Sequence, residues 1–79
     1  MYRTTSQLPG VFYRRPAPDQ DPFVEEGSVV QDGQTLGLIE VMKTFNEVKA
    51  TKPGRISRIL LEEGDEVEPG QELFEVEDA

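Results

Sequence analysis

Short apolar runs, each closed by glycine or proline, set the pattern of this chain. They are too brief for helices and too rich in β-branched residues. The runs predict strands at Gly10–Tyr13, Phe23–Glu25, Ser28–Val30, Leu36–Val41, Thr44–Ala50, Gly54–Leu60, Glu66–Val67 and Leu73–Glu77. Alternation fails at Leu38-Ile39 and Leu73-Phe74, where both faces are apolar. Such doublets fit a strand packed on two sides. Leu60-Leu61-Glu62-Glu63 has local helical character, but Gly64 stops it within a turn. Residues 1–8 lack a comparable pattern and are expected to form a disordered leader.

The pattern repeats. Val24–Glu40 (VEEGSVVQDGQTLGLIE) aligns without a gap on Leu61–Glu77 (LEEGDEVEPGQELFEVE), 37 residues later, with eight identities in seventeen positions. Each half turns at Gly27 or Gly64, runs through a short Val-bearing strand, and turns again at Asp32-Gly33 or Pro69-Gly70. Two like halves predict an all-β fold: a flattened barrel or sandwich of two four-stranded antiparallel sheets with internal quasi-two-fold symmetry.

One half carries an insertion. Pro9-Gly10-Val11-Phe12 resembles Pro53-Gly54-Arg55-Ile56, yet Gly10 to Gly27 spans 17 residues where Gly54 to Gly64 spans 10. The seven extra residues fall within 14–22, in the stretch RRPAPDQDP. Three prolines bar an inner strand or a helix interior there. A stiff protruding loop is expected.

Composition narrows the function classes. The 79 residues contain no Cys and no His. That removes disulfides, zinc staples, thiol nucleophiles and every imidazole-based triad. Eight basic residues face sixteen acidic ones, a net charge of −8. The acidity argues against nucleic acid and favours basic partner surfaces. No apolar run approaches a membrane span, and a cytoplasmic setting is expected.

The halves join at Val41-Met42-Lys43-Thr44-Phe45-Asn46, with room for only a tight turn tipped by Met42-Lys43. A two-residue hairpin favours Asn-Gly or Gly-X, because φ must be positive at one or both central positions. The chain uses Asp-Gly, Pro-Gly and Glu-Gly elsewhere, so Met-Lys breaks a local rule. Turn chemistry alone leaves two alternatives: a functional site, or bending strands with an ordinary solvated lysine.

Glu40-Val41-Met42-Lys43-Thr44 resembles the Glu-Ala-Met-Lys-Met signature of biotinyl domains. Val41 and Thr44 depart from it conservatively. Phe12-Tyr13-Arg14-Arg15-Pro16-Ala17-Pro18-Asp19 resembles the Phe-Tyr-Arg-x-Pro-x-Pro-Asp stretch of the biotin carboxyl carriers of acetyl-CoA carboxylases. In that family the insertion is called the thumb. The resemblance implies a biotinyl domain over residues 9–79, of the barrel-sandwich hybrid type shared with lipoyl domains. It implies biotin joined covalently to Lys43 by a biotin protein ligase. It implies a non-catalytic carrier of carboxybiotin between a biotin carboxylase and a carboxyltransferase, converting acetyl-CoA to malonyl-CoA for fatty acid synthesis. Alternatives are a lipoyl carrier or the carrier of another biotin-dependent carboxylase. Lipoyl turns carry Asp-Lys-Ala, unlike Met42-Lys43-Thr44. An unmodified adaptor, and a small hydrolase with paired carboxylates, are the readings from other classes.

Around Lys43, Met42 offers a flexible thioether to a ligase pocket or a biotin ring, or simply fills the hairpin. Glu40 reads as a solvated strand residue, since its repeat mate Glu77 is remote from any such lysine. The thumb, Ala17, Pro18, Asp19, Gln20, Asp21 and Pro22, is preorganised by proline and is a candidate cover for the cofactor. Asp19 and Asp21 supply too few oxygens for a hard cation, so no metal site is expected. The run Glu25, Glu26, Glu62, Glu63 and Glu66 reads as a solubility device.

Overall fold

A computed structural model describes residues 1–78. Eight strands follow in order: β1 (Tyr2–Thr5), β2 (Gly10–Tyr13), β3 (Val29–Val30), β4 (Thr35–Val41), β5 (Thr44–Lys49), β6 (Gly54–Ile59), β7 (Glu66–Val67) and β8 (Glu72–Asp78). They form two four-stranded antiparallel sheets, β1-β8-β6-β3 and β5-β4-β2-β7. These are called the terminal sheet and the hairpin sheet below.

The sheets are quasi-symmetric mates down to the register. Ile39 pairs with Asn46 as Val76 pairs with Tyr2, and Leu38 with Glu47 as Glu75 with Arg3. Even the irregularity recurs, between Thr35 and Gly37 and between Thr4 and Thr5. The terminal sheet therefore needs a strand to match β5, and residues 2–5 supply it. This corrects the expected disordered leader at 1–8. Its side chains follow the repeat too: buried Thr4 and Ser6 stand where Val48 and Ala50 stand in the other half.

A second correction concerns Phe23–Glu25, which forms no strand. Val24 is apolar because it is buried in the core, and Phe23 donates its N–H to the Arg14 carbonyl at 2.8 Å. That bond closes the base of the inserted loop.

The core lies between the sheets. Phe12, Leu36, Ile56, Leu73, Phe74 and Val76 are sealed from solvent, and the Phe12 and Phe74 rings meet edge to face at 5.6 Å. Each such side chain contributes about 1.5–3 kcal/mol by leaving water. Here the symmetry breaks: Phe74 has Gly37 as its mate. A Cβ on Gly37 would stand 3.0 Å from the Phe12 ring and 3.4 Å from that of Phe74. The Phe12 and Phe74 rings fill the space a side chain at position 37 would need.

The repeated Glu-Glu-Gly turns carry structural bonds. Glu26 accepts the N–H of Ile59 at 3.1 Å, and its mate Glu63 accepts that of Arg14 at 2.6 Å. Ser28 Oγ accepts the N–H of Glu25, and Asp65 does the same for Glu62. These caps satisfy exposed backbone donors, so the acidic repeat is more than a solubility device.

Candidate functional site: the central hairpin

The only tight two-residue connection inside the hairpin sheet joins β4 to β5. Val41 pairs with Thr44, leaving Met42 and Lys43 as the whole loop. Their φ angles are +50° and +66°, the positive values a type I′ turn takes at both centres. Every other positive φ among the described residues belongs to glycine. A side chain in this conformation costs about 1–2 kcal/mol per residue. The strands below hold the turn in place. Glu40 pairs with Phe45, Ile39 with Asn46, and the Asn46 amide donates to the carbonyls of Ile39 and Thr44, each at 3.3 Å.

The strained turn lifts two long side chains clear of the sandwich. Met42 is 93% exposed, and Lys43 is exposed beside it. The ion pairs among the described residues are Met1–Asp78, Arg3–Glu72 and Arg3–Glu75, so none within 4.0 Å engages Lys43. A long amine on a projecting turn, unpaired, is free to be acylated and to swing.

Glu40 is half-buried rather than freely solvated. It accepts a hydrogen bond from the Tyr13 hydroxyl at 3.0 Å, and the Tyr13 ring lies 6.0 Å from that of Phe45. The bonded carboxylate, then desolvation, then the charges of Glu40 and Glu63, hold the Tyr13 phenol above its ordinary value. Sequence reasoning does not single out Tyr13 or Phe45. Strand alternation gives only the facing of Tyr13, outward because Phe12 points inward; its place beside Glu40 comes from the β2–β4 pairing.

Of the sequence candidates, the fold gathers Glu40, Val41, Met42, Lys43 and Thr44 on one hairpin. Ala17, Pro18, Asp19, Gln20, Asp21 and Pro22 belong to a separate loop, which leaves the sheet where Tyr13 pairs with Leu38. Five residues separate Leu38 from Lys43, which at about 3.3 Å each is roughly 16 Å of strand. Within the loop Gln20 donates to the Ala17 carbonyl at 3.0 Å. No hydrogen bond among the described residues joins it to residues 41–46. No group of three or more acidic residues among the described residues could hold a metal ion. Among the described residues no helix is long and apolar enough to cross a membrane.

The chain is similar to biotin carboxyl carrier proteins of acetyl-CoA carboxylase. It is 42% identical over 72 residues to that of Chlamydia pneumoniae, covering 91% of this chain and 43% of the relative. It is 45% identical over 69 residues to a chloroplastic one of Arabidopsis thaliana, covering 87% and 27%. The chain thus spans less than half the length of these relatives. Among solved structures, Kluyveromyces lactis urea carboxylase superposes with a TM-score of 0.76 at 33% identity, covering 92% of this chain and 6% of that one. A single-chain, multi-domain long-chain acyl-CoA carboxylase reaches 0.83 at 23% identity, covering 99% and 7%, a likeness of fold alone. The biotin–lipoyl family, described as biotin-requiring enzymes, matches residues 5–76. With that match running from β1 into β8 and the lysine hairpin at its centre, the chain belongs to the biotin–lipoyl attachment family.

Proposed function

We propose that this chain is a biotin carboxyl carrier, with biotin held in amide linkage on Lys43. The observation that supports it most is the geometry of the turn. A quasi-symmetric sandwich with glycine at its other positive-φ positions keeps Met42-Lys43 at its central hairpin, at a cost in strain, and leaves the amine unpaired. A residue placed against its own backbone preference fits presentation of a side chain better than stability.

The chain's part in the chemistry is small and definite. Lys43 Nζ forms a C–N bond to the biotin carboxyl carbon after a ligase has activated that carboxyl. The activating group leaves with the C–O bond electrons, and the amine loses a proton. Attached biotin supplies a ureido nitrogen that accepts and releases a carboxyl group. The four-carbon stem of Lys43 gives reach, Asn46 and the Val41–Thr44 pair fix the direction of the arm, and Met42 offers the apolar neighbour at its root.

The partners under this reading are a biotin protein ligase, a biotin carboxylase and a carboxyltransferase, in the cytoplasm, with acetyl-CoA as acceptor. The names of the relatives and the thumb-like stretch favour acetyl-CoA over other acceptors. The loop 14–22 serves as the thumb, a cover for the tethered group; its prolines and the Phe23–Arg14 bond make it stiff enough for that. The chain itself performs no catalytic step.

Intact mass after co-expression with a biotin protein ligase, followed by tryptic mapping, tests the proposal. One biotinyl group on Lys43, absent from Lys43→Arg, is expected. An adduct from a lipoate ligase alone would instead assign the chain to the lipoyl branch.

A further inference from the structure

The quasi-symmetry provides an internal comparison between the two outer faces of the sandwich. On the terminal sheet most outward positions are charged and set against opposite charges, with Val29, beside Arg55, the exposed apolar exception. Arg55 pairs with Glu77 and Arg58 with Glu75 across β6 and β8, and Arg3 reaches Glu75 at 3.3 Å. On the hairpin sheet the mates of these residues are apolar or unmatched. Val11 stands for Arg55 and Leu38 for Glu75. Tyr13 and Phe45 flank Leu38 and Glu40 on the same face.

The apolar residues of this face differ in exposure: Leu38 is buried, Val11 and Tyr13 are half-buried, and Phe45 is 56% exposed. Around them stand Glu40, Glu47 and Glu66, and Lys49 at the far end of β5 is the one basic residue in the four strands. Lys43 at the tip would lose its charge on acylation. One face of a quasi-symmetric molecule thus has an apolar centre and an uncompensated acidic rim, next to the projecting lysine. The other face neutralises itself.

We propose that the outer face of the hairpin sheet docks on the biotin carboxylase component. The proposal rests on the carrier assignment above. The complement of this face is an apolar centre ringed by Lys and Arg. An enzyme that binds ATP and bicarbonate, both anions, must gather cations at the mouth of its site, and the carrier has to bring its hairpin to that mouth. Phe45 and Val11 enter the apolar contact, and Glu47 and Glu66 steer the approach. The terminal sheet faces away.

The test uses the 79-residue chain, biotinylated, as substrate for the biotin carboxylase subunit of a bacterial acetyl-CoA carboxylase. ADP release is followed against carrier concentration at two salt levels. Intact mass first confirms the biotinyl group on the wild type; if it is missing, the carrier assignment falls and this proposal with it. Given a biotinylated wild type, Phe45→Ser and Glu66→Lys are each expected to raise KM about fivefold or more with kcat little changed. Glu66→Lys is also expected to flatten the salt dependence. Glu77→Lys, the same change of charge on the terminal sheet, is expected to move KM less than about twofold. Thermal unfolding checks that all three variants fold, and Glu66→Lys tests the face even if Phe45→Ser does not. KM values within about twofold of wild type for the hairpin-sheet variants, or an equal effect from Glu77→Lys, would overturn the docking face while leaving the carrier assignment intact. A concentration-dependent dimer abolished by Phe45→Ser would overturn it in favour of a second copy of this chain.

Discussion

Met42 and Lys43 pay a conformational penalty that glycine would avoid. Replacing Met42 by Gly is expected to raise the midpoint of urea unfolding, by up to about 1 kcal/mol in stability. The same variant is expected to be a poorer ligase substrate, because the turn loses the apolar side chain next to Lys43. A Met42→Gly protein no more stable than wild type would show that the turn is unstrained. Tyr13 gives a pH prediction. Its folded phenol stays protonated above the ordinary value of 10.0, chiefly through the bond to Glu40. A raised acid stabilises the fold below its unfolded pKa and loses that contribution as pH rises through the folded one. Stability is therefore expected to fall above about pH 10 more steeply in wild type than in Tyr13→Phe. Parallel pH profiles from thermal unfolding would remove Tyr13 from the account. At the opposite end of the range, the N-terminal amine beside Asp78 holds its carboxyl below the ordinary 3.8. That contribution is present above the unfolded value and is lost as pH falls through the folded one.

At the scale of elements, β4 is tightly packed at Gly37. Gly37 sits in it because Phe12 and Phe74 fill the space above, with the Tyr13 carbonyl 3.0 Å from where a Cβ would stand. A backbone oxygen cannot swing aside, so Gly37→Ala is expected to cost about 1–3 kcal/mol. Chemical denaturation measures it, and a neutral result would mean the strand slides freely. The inserted loop is the reverse case. It is closed at its base by the Phe23–Arg14 bond and contributes none of the core residues. Deleting Ala17–Pro22 and closing the gap with a short glycine turn is expected to leave cooperative unfolding intact. Both elements are legible in sequence to different degrees. The insertion follows from counting residues between matched glycines. The need for glycine at 37 does not, because its mate is Phe74 and the repeat offers no warning.

Across the whole molecule, the repeat and the hydrophobic pattern specify two sheets, their strand content and the central hairpin. They do so because period-two alternation and Gly/Pro turns are local signals that survive without tertiary context. The lysine turn was legible for the same reason, as a break in otherwise consistent turn chemistry. Strand β1 was not. Thr4 and Ser6 are polar, so no apolar run marks it, and only the Pro9-Gly10 and Pro53-Gly54 match, extended backwards, places residues 2–5 against 46–49. Phe23–Glu25 misled in the other direction, since burial makes Val24 apolar without any ladder to join. The Tyr13–Glu40–Phe45 cluster and the contrast between the two outer faces belong to tertiary structure alone. They depend on which strands lie side by side and on which face each residue points to, and pairing across β2, β4 and β5 joins residues far apart in the chain. Sequence by itself determined that two matched halves would meet at a lysine. The packing of the sheets decided what stands beside that lysine, because register and facing are set only when the two halves close on one core.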